Sequence, residues 1–259
     1  EMSNEERKVS ALNQPSLVWK GERTTLDRAA HLAPSPGVTI NAPENISGEF
    51  RAIPGEEPLA VIPPEGVTGD LLDGNSYEDR NGELTGGCSQ FASSAPFTGR
   101  IILLDKSDCG AFEQARWAQV EGAKGVIIAA TAENGFPNIG GRFVSGGASI
   151  PYVGVEKSVG VALRANLDEA NVTIGFLTDI FLGDNEGKLT MYAPDTYQEG
   201  VTAAHWGRAA SPDLLMQPSL GLLEHTDVDL TAAALKDIGW SVNIPGEPPV
   251  LIFKNSFDD

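Results

Sequence analysis

Residues 97–130 read FTGRIILLDKSDCGAFEQARWAQVEGAKGVIIAA, and the fold turns on how this stretch is divided. Residues 100–104 form a short apolar run closed by Asp105. That is long enough for a buried strand and too short for a helix. A polar loop, Lys106-Ser-Asp-Cys-Gly110, separates it from a helical pattern over residues 111–121. Ala111, Ala115, Ala118 and Gly122 recur at helical spacing, so one face is smooth and can lie close on a sheet. Gly122 and Gly125 end the helix, because glycine tolerates the left-handed conformation of a helix exit. Residues 125–130, GVIIAA, make a second apolar strand. Strand, helix and strand imply a βαβ-like unit with parallel strands.

This order, followed by Ile150-Pro-Tyr-Val-Gly-Val155, resembles the protease-associated (PA) domain. The shared features are a strand ending in Asp, a Cys-bearing loop, a helix, a GA-x-G-V-I strand, a glycine-rich loop and an Ile-Pro-x-Val-x-Val strand. The resemblance covers residues 62–175. It implies a mixed β/α domain that carries no catalysis itself. It also implies attachment to secreted or vesicular peptidases or sorting receptors, where such a domain binds proteins or restricts substrate access.

Composition narrows the partners. The chain has 259 residues, rich in turn formers (29 Gly, 17 Pro), with 18 basic residues against 36 acidic ones and a net charge of −18. Such a balance disfavours nucleic acid and anionic membranes as partners. No apolar run approaches the ~18 residues of a membrane span, so no membrane insertion is expected. The start Glu1-Met2 reads as a processed or excised form.

Only two cysteines occur, Cys88 and Cys109. Neither lies in a CxxC pair, no zinc pattern of four ligands is available, and no local histidine would activate a thiolate. A single disulfide is the simplest reading, and the PA resemblance points the same way. It places the chain in an extracellular, periplasmic or secretory compartment. Asn45-Ile-Ser47 and Asn171-Val-Thr173 are glycosylation sequons only in a eukaryotic secretory route.

Four segments are expected: 1–60, part of a flanking lobe; 61–177, the PA domain; 178–244, the rest of the lobe; and 245–259, linker and tail. Upstream, helices are expected near 1–13 and 24–32, a Pro/Gly break at 33–37, and strands at 17–19, 38–40 and 48–53. Strands at 67–73 and 172–177 and a helix at 158–166 complete the PA domain. A hairpin at 181–192 turns on Asp184-Asn-Glu-Gly187, and Asp229 or Thr231 caps a helix at 230–238 that Gly239 ends. Residues 250–253 read as a last small strand. Ile150-Pro151 is a site where a cis bond is conceivable.

Chemistry is sparse. The glycine-rich loop 131–149 lacks the GK[ST] ending of a phosphate loop. It is read as a mobile loop beside a binding surface, with Gly135, Phe136, Asn138, Gly140, Gly141 and Arg142 as its contact residues. Asp73, Asn75, Glu78 and Asp79 make calcium conceivable in 74–87, although the spacing is not that of an EF-hand loop. There are three histidines, His31, His205 and His225, and no HExxH or G-x-S-x-G.

Met191-Tyr-Ala-Pro194, VTAAHW at 201–206, Leu214-Leu-Met-Gln-Pro218 and the stretch 227–240 resemble the closing segment of secreted leishmanolysin-like (metzincin) zinc peptidases. That resemblance implies His205 as a third zinc ligand and Met216 as the methionine of the turn beneath the metal. The family's first two histidines and its catalytic glutamate have no match here, and a catalytic zinc needs about three protein ligands.

The expectation is therefore a mixed α/β protein. A PA domain, a β-sandwich or barrel with flanking helices, is inserted in a smaller lobe, its ends close together. It would be the non-catalytic portion of a secreted zinc metallopeptidase, engaging protein or peptide. The alternatives are a stand-alone binding protein without peptidase activity, or a calcium- or glycan-binding surface module.

Overall fold

The computed structural model describes residues 3–12, 17–55, 60–92, 95–140, 147–219 and 228–240. By chain contacts the protein divides into two compact units, one of residues 35–177 and one of residues 1–34 with 178–259.

The larger unit is built on an eight-stranded sheet. Its strands are β1 (Pro34–Ala42), β2 (Gly48–Arg51), β3 (Ile53–Pro54), β4 (Val67–Asp73), β5 (Ile101–Asp105), β6 (Gly125–Ala129), β7 (Tyr152–Val155) and β8 (Asn171–Phe181). Their order in space is β2-β1-β8-β4-β5-β6-β7-β3. β4, β5, β6 and β7 are parallel neighbours, Ile101 pairing with Gly125 and Val126 with Tyr152. The end strands β2 and β3 are separated only by Ala52, so the sheet is rolled until its two sides meet.

Period-two alternation sends the strand residues to two cores. Ile101, Leu103, Ile127, Ala129, Val153 and Val155 face the first, with Val159 and Leu163 of α4 (Lys157–Arg164). Ile102, Leu104, Val126, Ile128 and Tyr152 face the second, against α3 (Ala111–Val120). The alanine face of α3 is the one buried: Ala111, Ala115 and Ala118 are all in this core. Strands buried on both faces explain why β5 and β6 read as continuous apolar runs. Gly122, at φ 90°, ends the α3 region as expected.

The compact unit starts ahead of residue 61, because β1, β2 and β3 complete its sheet. The break expected at 33–37 lies largely within β1. Pro36 has no N–H to give, but its carbonyl accepts from Ala52 N at 3.1 Å, continuing the register that pairs Gly37 with Arg51. Among the described residues the cis bonds are Ala42–Pro43 and Ser211–Pro212, not Ile150–Pro151.

The smaller unit holds α1 (Asn4–Ser10), α2 (Glu22–His31), a two-stranded ribbon of β9 (Asp184–Asn185) and β10 (Lys188–Leu189), and α5 (Asp229–Asp237). Glu186 (φ 50°) and Gly187 (φ 73°) make the ribbon turn, the pair of positive angles a two-residue hairpin needs. The expected strand at 17–19 is reduced to a bridge between Val18 and Thr190. Gly239 N–H donates to Lys236 O and Trp240 N–H to Leu235 O, closing α5. The core gathers Leu32, Phe181, Leu189, Met191, Trp206, Leu214 and Leu230. No described helix is long and apolar enough to cross a membrane. The strand expected at 250–253 lies outside the described residues.

Candidate functional site

The loop that follows β6 is the first candidate. Residues 136–140 run without turn or bend, and burial alternates along them. Phe136, Asn138 and Gly140 are exposed, whereas Pro137 and Ile139 are buried. The buried pair rests on β7 at Gly154. A Cβ there would lie 2.8 Å from Pro137 Cγ and 2.9 Å from Ile139 Cγ2. Glycine at 154 is what admits the loop. Lys157, at the start of α4, pairs with Glu133 ahead of this segment. Beyond it, Gln119 Oε1 of α3 accepts from Ser149 N at 2.7 Å and from Ile150 N at 3.2 Å. Gly135, at φ 84°, provides the left-handed step into the segment. Gly141 and Arg142 lie outside the described residues. Sequence reasoning named the exposed residues but missed the anchors Pro137, Ile139, Gly154 and Gln119; the period-two pattern of residues 136–140 was the signal available.

The second candidate is the segment around His205 and Met216 in the smaller unit. Trp206 N–H donates to Met216 O at 2.8 Å, and Tyr192 N–H donates to His205 O at 2.8 Å. Asp229 Oδ2 accepts from Leu215 N at 2.6 Å, while its Oδ1 accepts from Thr231 N at 2.9 Å in the first turn of α5. Gln217 Nε2 donates to Gly207 O and Ala210 O. The turn at 214–217 is thereby tied to the His-Trp segment and to α5. His205 Nδ1 lies 3.1 Å from Val201 O. A carbonyl only accepts, so Nδ1 is the donor of this bond, which in the neutral ring leaves the lone pair on Nε2. A ligand histidine shows this arrangement. Among the described residues, however, no group of three or more His, Cys, Asp or Glu is placed to hold a metal ion. The described residues alone do not fit a catalytic zinc. His225 is outside them.

Cys88 and Cys109 form a disulfide, spanning 21 residues and joining the loop before β5 to the loop after it. Of the carboxylates that make calcium conceivable, Asp79 and Asp73 are engaged by protein donors and Glu78 is exposed. Asp79 accepts from Asn81 N, Glu83 N and Ser89 Oγ, the last at 2.7 Å. These bonds, Ser89 first and Glu83 next, hold its carboxyl below the usual range. Asp73 accepts from Asn75 N and pairs with Arg164, which also reaches Asp105 at 2.9 Å. A cleft of about 480 Å³ beside β4 is lined by Asp70, Asp73, Tyr77, Arg100, Asp168 and Glu169, among others.

Comparison with known proteins gives one family match: the PA domain, over residues 67–163. No curated protein matches the chain. Among solved structures, BSAP, a zinc aminopeptidase from Bacillus subtilis, aligns at 17% identity and a TM-score of 0.39, covering 66% of this chain and 42% of that one. A Peptidase M28 precursor from Shewanella amazonensis aligns at 14% identity and 0.38, covering 64% and 44%. The psychrophilic subtilisin-like protease Apa1 from Pseudoalteromonas sp. AS-11 aligns at 17% and 0.38, covering 56% and 33%. The chain spans less than half the length of each of these. None of the three is a leishmanolysin-like peptidase, so the likeness of residues 191–240 to that family stays a resemblance in sequence. Strand, helix and strand over 97–130, the alanine face of α3 and the family match agree: residues 67–163 of this chain are a PA domain.

Proposed function

We propose that this chain is the PA-bearing, non-catalytic portion of a secreted zinc metallopeptidase, and that its PA unit holds a protein substrate or partner. The observation that carries the reading is the fixed presentation of Phe136, Asn138 and Gly140 above Pro137 and Ile139. A loop held on a rigid scaffold is where binding residues concentrate. The disulfide supports a compartment outside the reducing cytoplasm. His205, with Nδ1 on Val201 O, would be one zinc ligand of the parent enzyme, and Met216 would lie in the turn beneath. The remaining ligands and the catalytic glutamate would come from outside the described residues.

The test is the coding sequence ahead of Glu1 and the longer product it encodes. That product should contain HExxH, bind zinc and cleave casein. His205→Ala should abolish both zinc and cleavage, and Phe136→Ala with Asn138→Ala should raise KM while sparing kcat. An upstream sequence without HExxH rejects the peptidase. It leaves the second reading, a stand-alone binding protein.

A further inference from the structure

We propose that residues 136–140 recognise a partner through the main chain, by pairing with an extended polypeptide segment. This deepens the binding role given above to the loop and rests on it. Four observations converge. The segment is straight, and its side chains alternate in and out as in a strand. Its inward residues, Pro137 and Ile139, are wedged against Gly154, so the backbone is held in place before any partner arrives. No backbone hydrogen bond to another described residue is made by residues 136–140, although they carry N–H groups at Phe136, Asn138, Ile139 and Gly140 and a carbonyl at each position. Finally, the end strands β2 and β3 follow one another through Ala52, so the two ends of the main sheet are brought together.

A strand-like segment whose main-chain groups are bonded to no other described residue is a template for another chain. In this mode the backbone supplies affinity, and side chains at alternate positions supply selectivity. Phe136 and Asn138 project beside the template, so the partner is an unfolded or extended protein segment that presents an apolar residue to Phe136 and a polar one to Asn138. Pro137 fits the same picture, since proline is tolerated on an edge where one donor is dispensable.

The experiment uses the full chain, isotopically labelled, and dephosphorylated β-casein as an unstructured probe. Amide resonances of Phe136, Asn138 and Gly140 should shift and gain protection from exchange on addition of casein. Asn138→Pro removes one main-chain donor and should weaken binding about tenfold, the equivalent of about 1.4 kcal/mol. Asn138→Ala keeps the donor and should weaken binding far less. Each variant's melting temperature checks that the fold is intact. If casein leaves these amides unmoved, both the pairing and the loop's binding role fall. If Asn138→Pro binds as well as Asn138→Ala while Phe136→Ala abolishes binding, the pairing falls and side-chain recognition by the loop stands.

Discussion

The Asp237 carboxylate accepts a hydrogen bond from the Thr24 hydroxyl at 2.7 Å, across most of the chain's length in sequence. The same carboxylate accepts from Trp19 Nε1, Arg23 N and Thr24 N. The N-cap position of α2 is Gly21, which has no side chain to cap with. Asp237, from α5, therefore caps α2 from outside.

Asp237→Ala should cost about 1–2 kcal/mol, the scale of a lost helix cap. The wild type should also show acid sensitivity at this point. Burial opposes ionisation, yet donors from Trp19, Thr24 and Arg23 outweigh it and hold the carboxyl below its usual value. The unfolded chain takes the proton more readily than the folded one. The stabilisation is fully present above the ordinary carboxyl pKa of about 4 and fades as pH falls through the lowered folded value. Urea melts followed by tryptophan fluorescence at pH 7 and pH 3 should show the wild type approaching the variant at the lower pH.

Asp79→Ala should loosen residues 80–90 without unfolding the sheet, because Asn81, Glu83 and Ser89 lose their common acceptor. With its folded pKa lowered, the wild-type loop should likewise loosen only on the acid side, as pH falls through that value. Amide exchange of Asn81 and Glu83 is the measurement; unchanged protection in the variant would remove Asp79 from its role.

Cys88→Ala with Cys109→Ala opens the staple between the loops on either side of β5. For a loop of this size the loss should be on the order of 3 kcal/mol. A comparison of denaturation midpoints, with and without reductant, should show the reductant acting on the wild type alone.

Gly154→Val should displace the loop at 136–140. The added carbons fall where Pro137 and Ile139 now sit, and overpacking of this kind costs about 1–3 kcal/mol. Limited proteolysis should then cut at 131–140 in the variant but not in the wild type. Equal resistance would mean the loop is held by other contacts.

The legible parts were those whose signals are local. β4 has the bounds expected from its alternation, and α3 carries its alanines inward as the helical spacing required. Gly187 and Gly239 stop their elements because their conformations are decided within a few residues. What escaped depends on distant partners. β1 runs through two prolines because β2 and β8 flank it. The 17–19 segment is only a bridge because its partner strand is short. Likewise the anchoring of Phe136's neighbours depends on Gly154. A residue type can nominate such positions, but only the contacts assign their roles.

The stretch 48–54 acts as a seam. It is stitched to β1 on one side and to β7 on the other. If it peels away, two raw strand borders are laid bare at once on a domain that otherwise shows neither. Self-association under mild denaturation should therefore begin there, and its onset should track the protection of Ala52, whose amide is tied to Pro36 O.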